Sequence, residues 1–288
     1  MIDDLSLYRG TKIEDYIRNW TTTENEINKA IELVLNVAGE STISYLYFGN
    51  EFCEYRIPSI NELIECIELC NQVNIKPVLV TPPVTELGIC RINNLLSYVE
   101  NNNICLDVVI NDFGVLELLN EKKIQGEKIV GRILDKTSHD SRASCERIDN
   151  YYGKEGLTYA KTPGVISMPF RKVLENYSVD RWEFDLPKVG LLLPNDINKS
   201  LYWPYGYLTT GRVCSMRAIN LDGRKKYLVG ENSCSQICRY VQIEKIKVAS
   251  VCESNETKLK LYQRGNTIFY LEQNENSIES FERIIFQV

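Results

Sequence analysis

Residues 41–83 read STISYLYFGNEFCEYRIPSINELIECIELCNQVNIKPVLVTPP, and their pattern decides the fold class. Ile43 to Phe48 is a short, β-rich apolar run closed by Gly49 and Asn50, the pattern of a buried strand. Pro58 and Ser59 then open a helix, and Glu62, three residues after Ser59, completes a capping box. Ile60, Leu63, Ile64, Ile67 and Cys70 recur on one helical face. Pro77 to Val80 is a second apolar run, closed by Pro82 and Pro83. Strands that are apolar on both faces and alternate with helices belong to a parallel sheet covered on both sides.

The same alternation extends outward. Upstream, residues 1–22 read as an opening strand and a loop. Thr23 and Glu26 then cap a helix carrying Ile27, Ile31, Val34 and Ala38, which Gly39 ends. Downstream, Ile92, Leu95, Leu96 and Val99 mark a helix, Val108–Ile110 a strand followed by Asn111, Asp112, Phe113, Gly114 and a short apolar helix to Leu119, and Ile129–Leu134 a strand. Residues 135–165 are polar and read as a long loop. Val165–Met168 and Trp182–Leu186 read as strands flanking a helix over Arg171–Tyr177, and Val189–Leu193 as a further apolar run. The aromatic stretch LYWPYGYL covers residues 201–208. Short strands at Ile268–Leu271 and Ile284–Phe286 flank a brief helix over Ile278–Phe281.

Seven to nine strands, most followed by a helix, predict a single α/β domain over all 288 residues. Its expected form is a TIM-barrel-like (β/α) barrel, since such barrels run to about 250 residues. An open doubly wound sheet is the alternative. The glycine-rich dinucleotide fingerprint and the P-loop are both absent from the sequence. In either architecture ligands gather at the C-terminal ends of the strands. Cys53 and Asp112 each fall just past a strand end, which predicts that both face that rim, with Arg56 close behind Cys53.

Charge and composition narrow the function. The formal net charge is −6 and the isoelectric point near 5.2, which argues against a broad nucleic-acid footprint and for a small-molecule substrate. No apolar run reaches the roughly 18 residues that a membrane span needs, and MIDDLSLYRG has no secretory pattern. The expected location is the cytoplasm, where ten cysteines point to metal binding or catalysis rather than to disulfides. The one histidine, His139, excludes motifs that need two. Its polar context, KTSHDSR, predicts a surface position.

The cysteines are unevenly used. Thr209–Tyr240 holds Cys214, Cys234 and Cys238, interleaved with Arg212, Arg217 and Arg239. Cys234 and Cys238 stand at i and i+4, a spacing that puts two thiolates on one helical face. Three thiolates leave a four-ligand site one short. The insert LDGRKKYLVGEN reads as a hairpin turning at Asp222-Gly223. Cys66 and Cys70 lie on a predicted helix and read as core. Cys90, Cys105, Cys145 and Cys252 have no partner at ligand spacing. A thiolate set without histidine suits an iron–sulfur cluster or structural zinc. One close pair instead of two favours the cluster.

LYFGNEFCEYR, VVINDFGVLELL, TTGRVC and CSQIC followed by Arg together resemble the peptidase U32 family, within it the UbiV-like proteins of oxygen-independent ubiquinone biosynthesis. The resemblance implies a U32-type barrel and a 4Fe–4S cluster on Cys53, Cys214, Cys234 and Cys238. It also implies a hydroxylase, or a subunit of one, that takes oxygen from a metabolite such as prephenate. A related partner subunit or a homo-oligomer is implied as well. A carboxylate donor would want guanidinium partners, and Arg56, Arg217 and Arg239 lie nearest the cysteines in sequence. Asp112 and Arg56 are the candidate catalytic residues. A non-catalytic iron–sulfur or zinc protein that supports a partner is the competing reading. A peptidase is a third, against which stands the lack of a metalloprotease motif.

Overall fold

The structure is a computed structural model that describes residues 4–8, 43–139, 146–187, 189–203, 205–219, 221–227, 234–236, 238, 244–246, 261–271 and 281–287. Eight parallel strands form a barrel. They are β1 (Asp4–Tyr8), β2 (Ile43–Gly49), β3 (Lys76–Val80), β4 (Asp107–Ile110), β5 (Lys128–Val130), β6 (Arg181–Phe184), β7 (Lys199–Trp203) and, far along the chain, Arg283–Gln287. The last of these pairs in parallel with β7 on one side and β1 on the other, and β1 also pairs with β2. The α/β barrel expected from the alternation is present. The helix expected over residues 23–38 lies outside the described residues.

Local sequence explains the outer layer. Helix α1 (Ile60–Gln72) starts at the capping box read from Ser59 and Glu62: the Ser59 hydroxyl accepts from Glu62 N, and the Glu62 carboxylate accepts from Ser59 N. Its buried face is Leu63, Cys66, Leu69 and Cys70, while Ile60 is exposed. The true face is therefore turned from the predicted one. Helices α2 (Glu86–Asn101) and α3 (Phe113–Glu121) bury Ile92, Leu95, Leu96 and Val99, and Val115, Leu116 and Leu119. They pack with Phe48, Leu79, Val108, Ile110 and Val130 from the outward faces of the strands. Each fully buried aliphatic side chain contributes about 1.5–3 kcal/mol.

Several expectations are corrected. Residues 135–165 are not all loop, because Glu146–Lys161 forms helix α4. Its polar sequence and the break at Gly153 (φ 62°, ψ −170°) hide the helical period. Residues 164–166 form a 3-10 turn that leads into helix α5 (Met168–Asn176), not a strand. Residues 189–193 are irregular. The 201–208 stretch splits between two sheets. β7 stays in the barrel, and β8 (Tyr205–Thr210) joins β9 (Glu244–Ile246), β10 (Leu261–Arg264) and β11 (Thr267–Leu271) in an antiparallel sheet of order β8-β11-β10-β9. This second sheet, unforeseen in the sequence, sits between β7 and the closing barrel strand, now β12. The hairpin expected at Asp222-Gly223 is instead a 3-10 turn over Gly223–Tyr227. No helix among the described residues is long and apolar enough to cross a membrane.

The barrel interior is partly polar. Tyr47, Val78, Val80, Val109, Ile129, Tyr202 and Ile285 form its buried cluster. Among them, Glu183 is fully buried and accepts a 2.8 Å hydrogen bond from the Tyr202 hydroxyl. Arg283 lies 3.5 Å from the Tyr45 ring centroid and donates to the Tyr47 hydroxyl at 3.1 Å. Burial pushes the Glu183 carboxyl up to about 8, with hydrogen bonding from Tyr47 and Tyr202 pulling against it.

A glutamate whose folded pKa exceeds its unfolded value near 4.3 stabilises the fold fully below that value. The contribution is lost as pH rises through the folded pKa. Thermal unfolding should therefore show stability declining between about pH 4 and 8, by at most about 1.4 kcal/mol per pH unit for this proton. Glu183→Gln, which keeps the hydrogen-bond acceptor, should flatten that decline. An unchanged slope in the variant would mean that Glu183 is ionised throughout.

Candidate functional site

The site is built at the C-terminal end of the barrel. Gly49 ends β2 at φ 104°, and a Cβ there would come within 2.5 Å of the Val80 carbonyl oxygen. Only glycine fits both constraints. The next residue, Asn50, fixes the turn, because its Oδ1 accepts from Phe52 N at 3.0 Å and Cys53 N at 2.7 Å. A 3-10 turn over Glu54–Arg56 follows, with Arg56 N bonded to the Cys53 carbonyl at 3.1 Å. This loop turns Glu51 into the barrel mouth and Cys53 outward beside it.

At the mouth, Arg132, just past β5, is fully buried between Glu51 and Asp185. Its Nε donates to both Glu51 oxygens at 2.9 and 3.0 Å, and one terminal nitrogen donates to Asp185. The same nitrogen donates to the Tyr205 carbonyl at 3.0 Å. The Tyr202 ring lies 3.8 Å from the guanidinium carbon. Burial pushes the Glu51 carboxyl up to about 7 although Arg132 pulls it down, and Asp185 adds to the rise.

His139 belongs to this cluster, and the predicted surface position is corrected. Its side chain is 9% exposed, with Nε2 4.0 Å from an Asp185 oxygen. Its ring centroid lies 4.4 Å from that of Tyr207 and 6.3 Å from that of Tyr270. Neither ring nitrogen has a hydrogen-bond partner among the described residues. Tyr207 belongs to β8 and Tyr270 to β11, so the antiparallel sheet buries this histidine from above.

On the outer side of the loop is a pocket that opens to solvent. Its lining includes Cys53, Cys214, Cys234 and Cys238 together with Arg56, Arg212, Arg217 and Arg264. The four cysteines singled out in the sequence thus border one pocket. Among the described residues, no three Cys, His, Asp or Glu side chains stand in a group close enough to hold a metal ion. Burial pushes the Cys53 thiol up to about 12, and the other three thiols add to the rise. Burial also raises Cys238, against the pull of Arg56 and Arg264. Among the described residues the one acidic member of the lining, Glu54, is engaged: its Oε2 accepts from Thr85 N and Oγ1, each at 2.8 Å.

The other predicted residues divide. Arg56 and Arg217 line the pocket and are nearly buried, and the Arg217 guanidinium lies 5.4 Å from the Tyr55 ring centroid. Arg239 lies outside the described residues. Asp112 is instead the N-cap of α3: its Oδ1 accepts from Gly114 N at 2.8 Å and its Oδ2 from Val84 N at 3.1 Å. It holds the start of that helix and is not among the residues that line the pocket. Cys66 and Cys70 are buried in the core as expected. Cys90 and Cys105 are exposed, and Cys145 and Cys252 lie outside the described residues. Sequence reasoning missed Arg264, Arg132, Glu51 and Asp185. Comparison with protein-family models, curated proteins and solved structures finds no match for this chain.

Burial lowers the His139 pKa below its ordinary value, outweighing the pull of Asp185. The imidazole is then neutral at pH 7, and the stability it contributes falls as pH drops through the unfolded and then the folded pKa. Because the chain has one histidine, its ring signals in an NMR titration are unambiguous. They should titrate below about 6.5. A midpoint above that value would mean that the Asp185 pair wins over desolvation.

Proposed function

We propose that the protein is an iron–sulfur enzyme of the peptidase U32 type. On this reading Cys53, Cys214, Cys234 and Cys238 hold a 4Fe–4S cluster, and the reaction is an oxygen-independent hydroxylation of a small or biosynthetic substrate. The observation that carries this reading is four thiols and four arginines on the lining of one pocket. The donor set fits the group: four sulfurs without histidine suit a cluster, and thiols that raise one another's pKa call for a cationic centre to hold them as thiolates. Such a cluster supplies redox-active iron to the pocket.

The chain's own residues do the rest. Arg56, Arg217, Arg212 and Arg264 bind and orient an anionic oxygen donor, for which a carboxylate such as prephenate is suited. In the overall reaction an acceptor C–H becomes C–OH, the donor gives up one oxygen atom, and two electrons pass from acceptor to donor. The aromatic wall of Phe52 and Phe269, with ring centroids 5.5 Å apart, keeps water from the pocket's inner side. A related subunit or a second copy of the chain completes the working assembly on this reading, with the cytoplasm as its compartment.

A non-catalytic zinc or iron–sulfur scaffold on the same four thiols is the second reading, since a thiolate set without histidine suits structural zinc as well as a cluster. The peptidase reading loses ground because His139 faces Asp185, Tyr207 and Tyr270 and is not among the pocket residues. A Cys–His nucleophile needs the two within hydrogen-bond reach.

Anaerobically purified protein should be brown and contain iron and sulfide. Cys238→Ala should abolish both, whereas Cys66→Ala, a core change, should leave them. Incubation with prephenate and candidate acceptors under argon should add the mass of one oxygen atom, and the Cys214→Ala variant should not. Stoichiometric zinc without iron or sulfide would overturn the cluster. Equal product from cluster-free protein would overturn the hydroxylase.

A further inference from the structure

The thiols that line the pocket come from separate parts of the fold. Cys53 rides on the loop after barrel strand β2. Cys214 follows β8 of the antiparallel sheet and caps the short helix Ser215–Ala218. Cys238 and Cys214 both approach the β10–β11 turn: a Cβ on Gly265 would lie 3.8 Å from Cys238 Cβ and 3.9 Å from Cys214 Sγ. Cys53 therefore meets the other thiols only if the sheet docks on the barrel in one arrangement.

Among the buried contacts that span this junction, the Tyr270 hydroxyl donates to the Leu186 carbonyl at 3.1 Å, and the Arg132 guanidinium reaches the Cys53 loop itself. One edge holds both oxygens of Glu51, two residues before Cys53. The other donates to the carbonyl of Tyr205, the first residue of β8, and to Asp185. Asp185 in turn accepts from Tyr207 N at 3.1 Å, and the Tyr207 hydroxyl donates back to the Arg132 carbonyl at 3.1 Å. The Phe52 ring centroid lies 5.3 Å from the guanidinium carbon. An outer clip adds to this, since Asn266 Nδ2 donates to the carbonyls of Phe52 at 2.7 Å and Gly211 at 2.6 Å. That clip is partly exposed, where water competes, while Arg132, Glu51 and Asp185 are shut off from solvent.

We propose that Arg132 is the positioning residue of the thiol pocket: through Glu51 on one side and Tyr205 on the other, it sets Cys53 against Cys214 and Cys238. A planar guanidinium with five donors can serve two carboxylates and a carbonyl at once, and a lysine ammonium cannot reproduce that fork. The relevance to a cluster rests on the proposed iron–sulfur function. The positioning itself does not.

The test uses the chain's own cysteines as reporters. Metal-free full-length protein is alkylated, and the rate at each cysteine is followed by mass spectrometry. Cys66 and Cys70, buried under α1, report global opening, and exposed Cys90 and Cys105 report reagent strength. Arg132→Lys should raise the Cys53 rate by about tenfold or more, the change expected when a local opening becomes easier by one power of ten, with Cys66 and Cys70 unchanged. Glu51→Gln, which keeps one acceptor for the guanidinium, should give a smaller rise confined to Cys53. Iron and sulfide taken up on anaerobic reconstitution should fall in the same order. Unchanged Cys53 rates in both variants would overturn the proposal. So would a rise in which Cys66 and Cys70 keep step with Cys53 in both, because that is a general loss of stability. If the unaltered protein takes up no iron, the cluster reading falls while the alkylation pattern still decides the role of Arg132.

Discussion

One positive charge buried between two carboxylates constrains this molecule more than any other contact. Arg132, Glu51 and Asp185 have no solvent exposure, so each forgoes hydration that costs several kcal/mol per ion to remove. Only good geometry offsets such a cost, and the geometry here is specific. The Glu51 carboxylate receives the guanidinium side-on, Asp185 takes its end, and Tyr202 covers its face at 3.8 Å. Ion clusters of this kind add little net stability compared with an apolar core. Losing one partner is different, since an uncompensated buried charge costs about 3–5 kcal/mol. Against a total stability of about 5–15 kcal/mol, that penalty suffices to select a single docked arrangement.

The cluster also explains why the pocket's two sides differ. The pocket is fed by loops from the rigid barrel and by turns of the inserted sheet, so its walls belong to different layers. Phe52, Tyr207 and Phe269 form the partition between them. Behind this partition lie the ion cluster and His139, and in front lie the thiols. A dry aromatic wall lowers the local dielectric and disfavours the charged form of any acid beside it. The Cys53 thiol, pushed up to about 12 by burial, shares the pocket lining with Phe52 and Phe269, whereas Cys238 feels the opposing pull of Arg56 and Arg264.

Much of the barrel was legible because its signals are local. The capping box at Ser59 and Glu62 and the apolar runs at β2, β3 and β4 each carry their own evidence, whatever the rest of the chain does. The site was legible only in part. Cys53, Cys214, Cys234, Cys238, Arg56 and Arg217 stand out by residue type and proximity in sequence, and they do share a pocket. Arg132 was hidden inside a run read as a strand to Leu134, although a lone cation in an apolar stretch was the available signal. His139 was misread because its neighbours in sequence are polar. Its burial is set by Tyr207 and Tyr270, which arrive from a sheet that no local pattern announced. That sheet was missed because only Pro204 separates β7 from β8, so two strands of different sheets read as one aromatic run.

The pocket's charge runs against that of the whole chain. With a net charge of −6, the protein as a whole repels anions, yet four arginines line one pocket, and the one carboxylate on its lining among the described residues is already bonded. Near-field charges outweigh distant ones, which salt screens beyond about 8–10 Å. Under the proposed reading those arginines serve two purposes. A thiolate-bound cluster is itself anionic, and a half-buried site without cations would resist forming it. Arg56, Arg217 and Arg264, each with less than a tenth of its surface exposed, are placed to offset that charge from within. Arg212 is exposed, and its guanidinium donates to the Val84 carbonyl at 3.1 Å. Of the four, it is the arginine that an incoming carboxylate meets first.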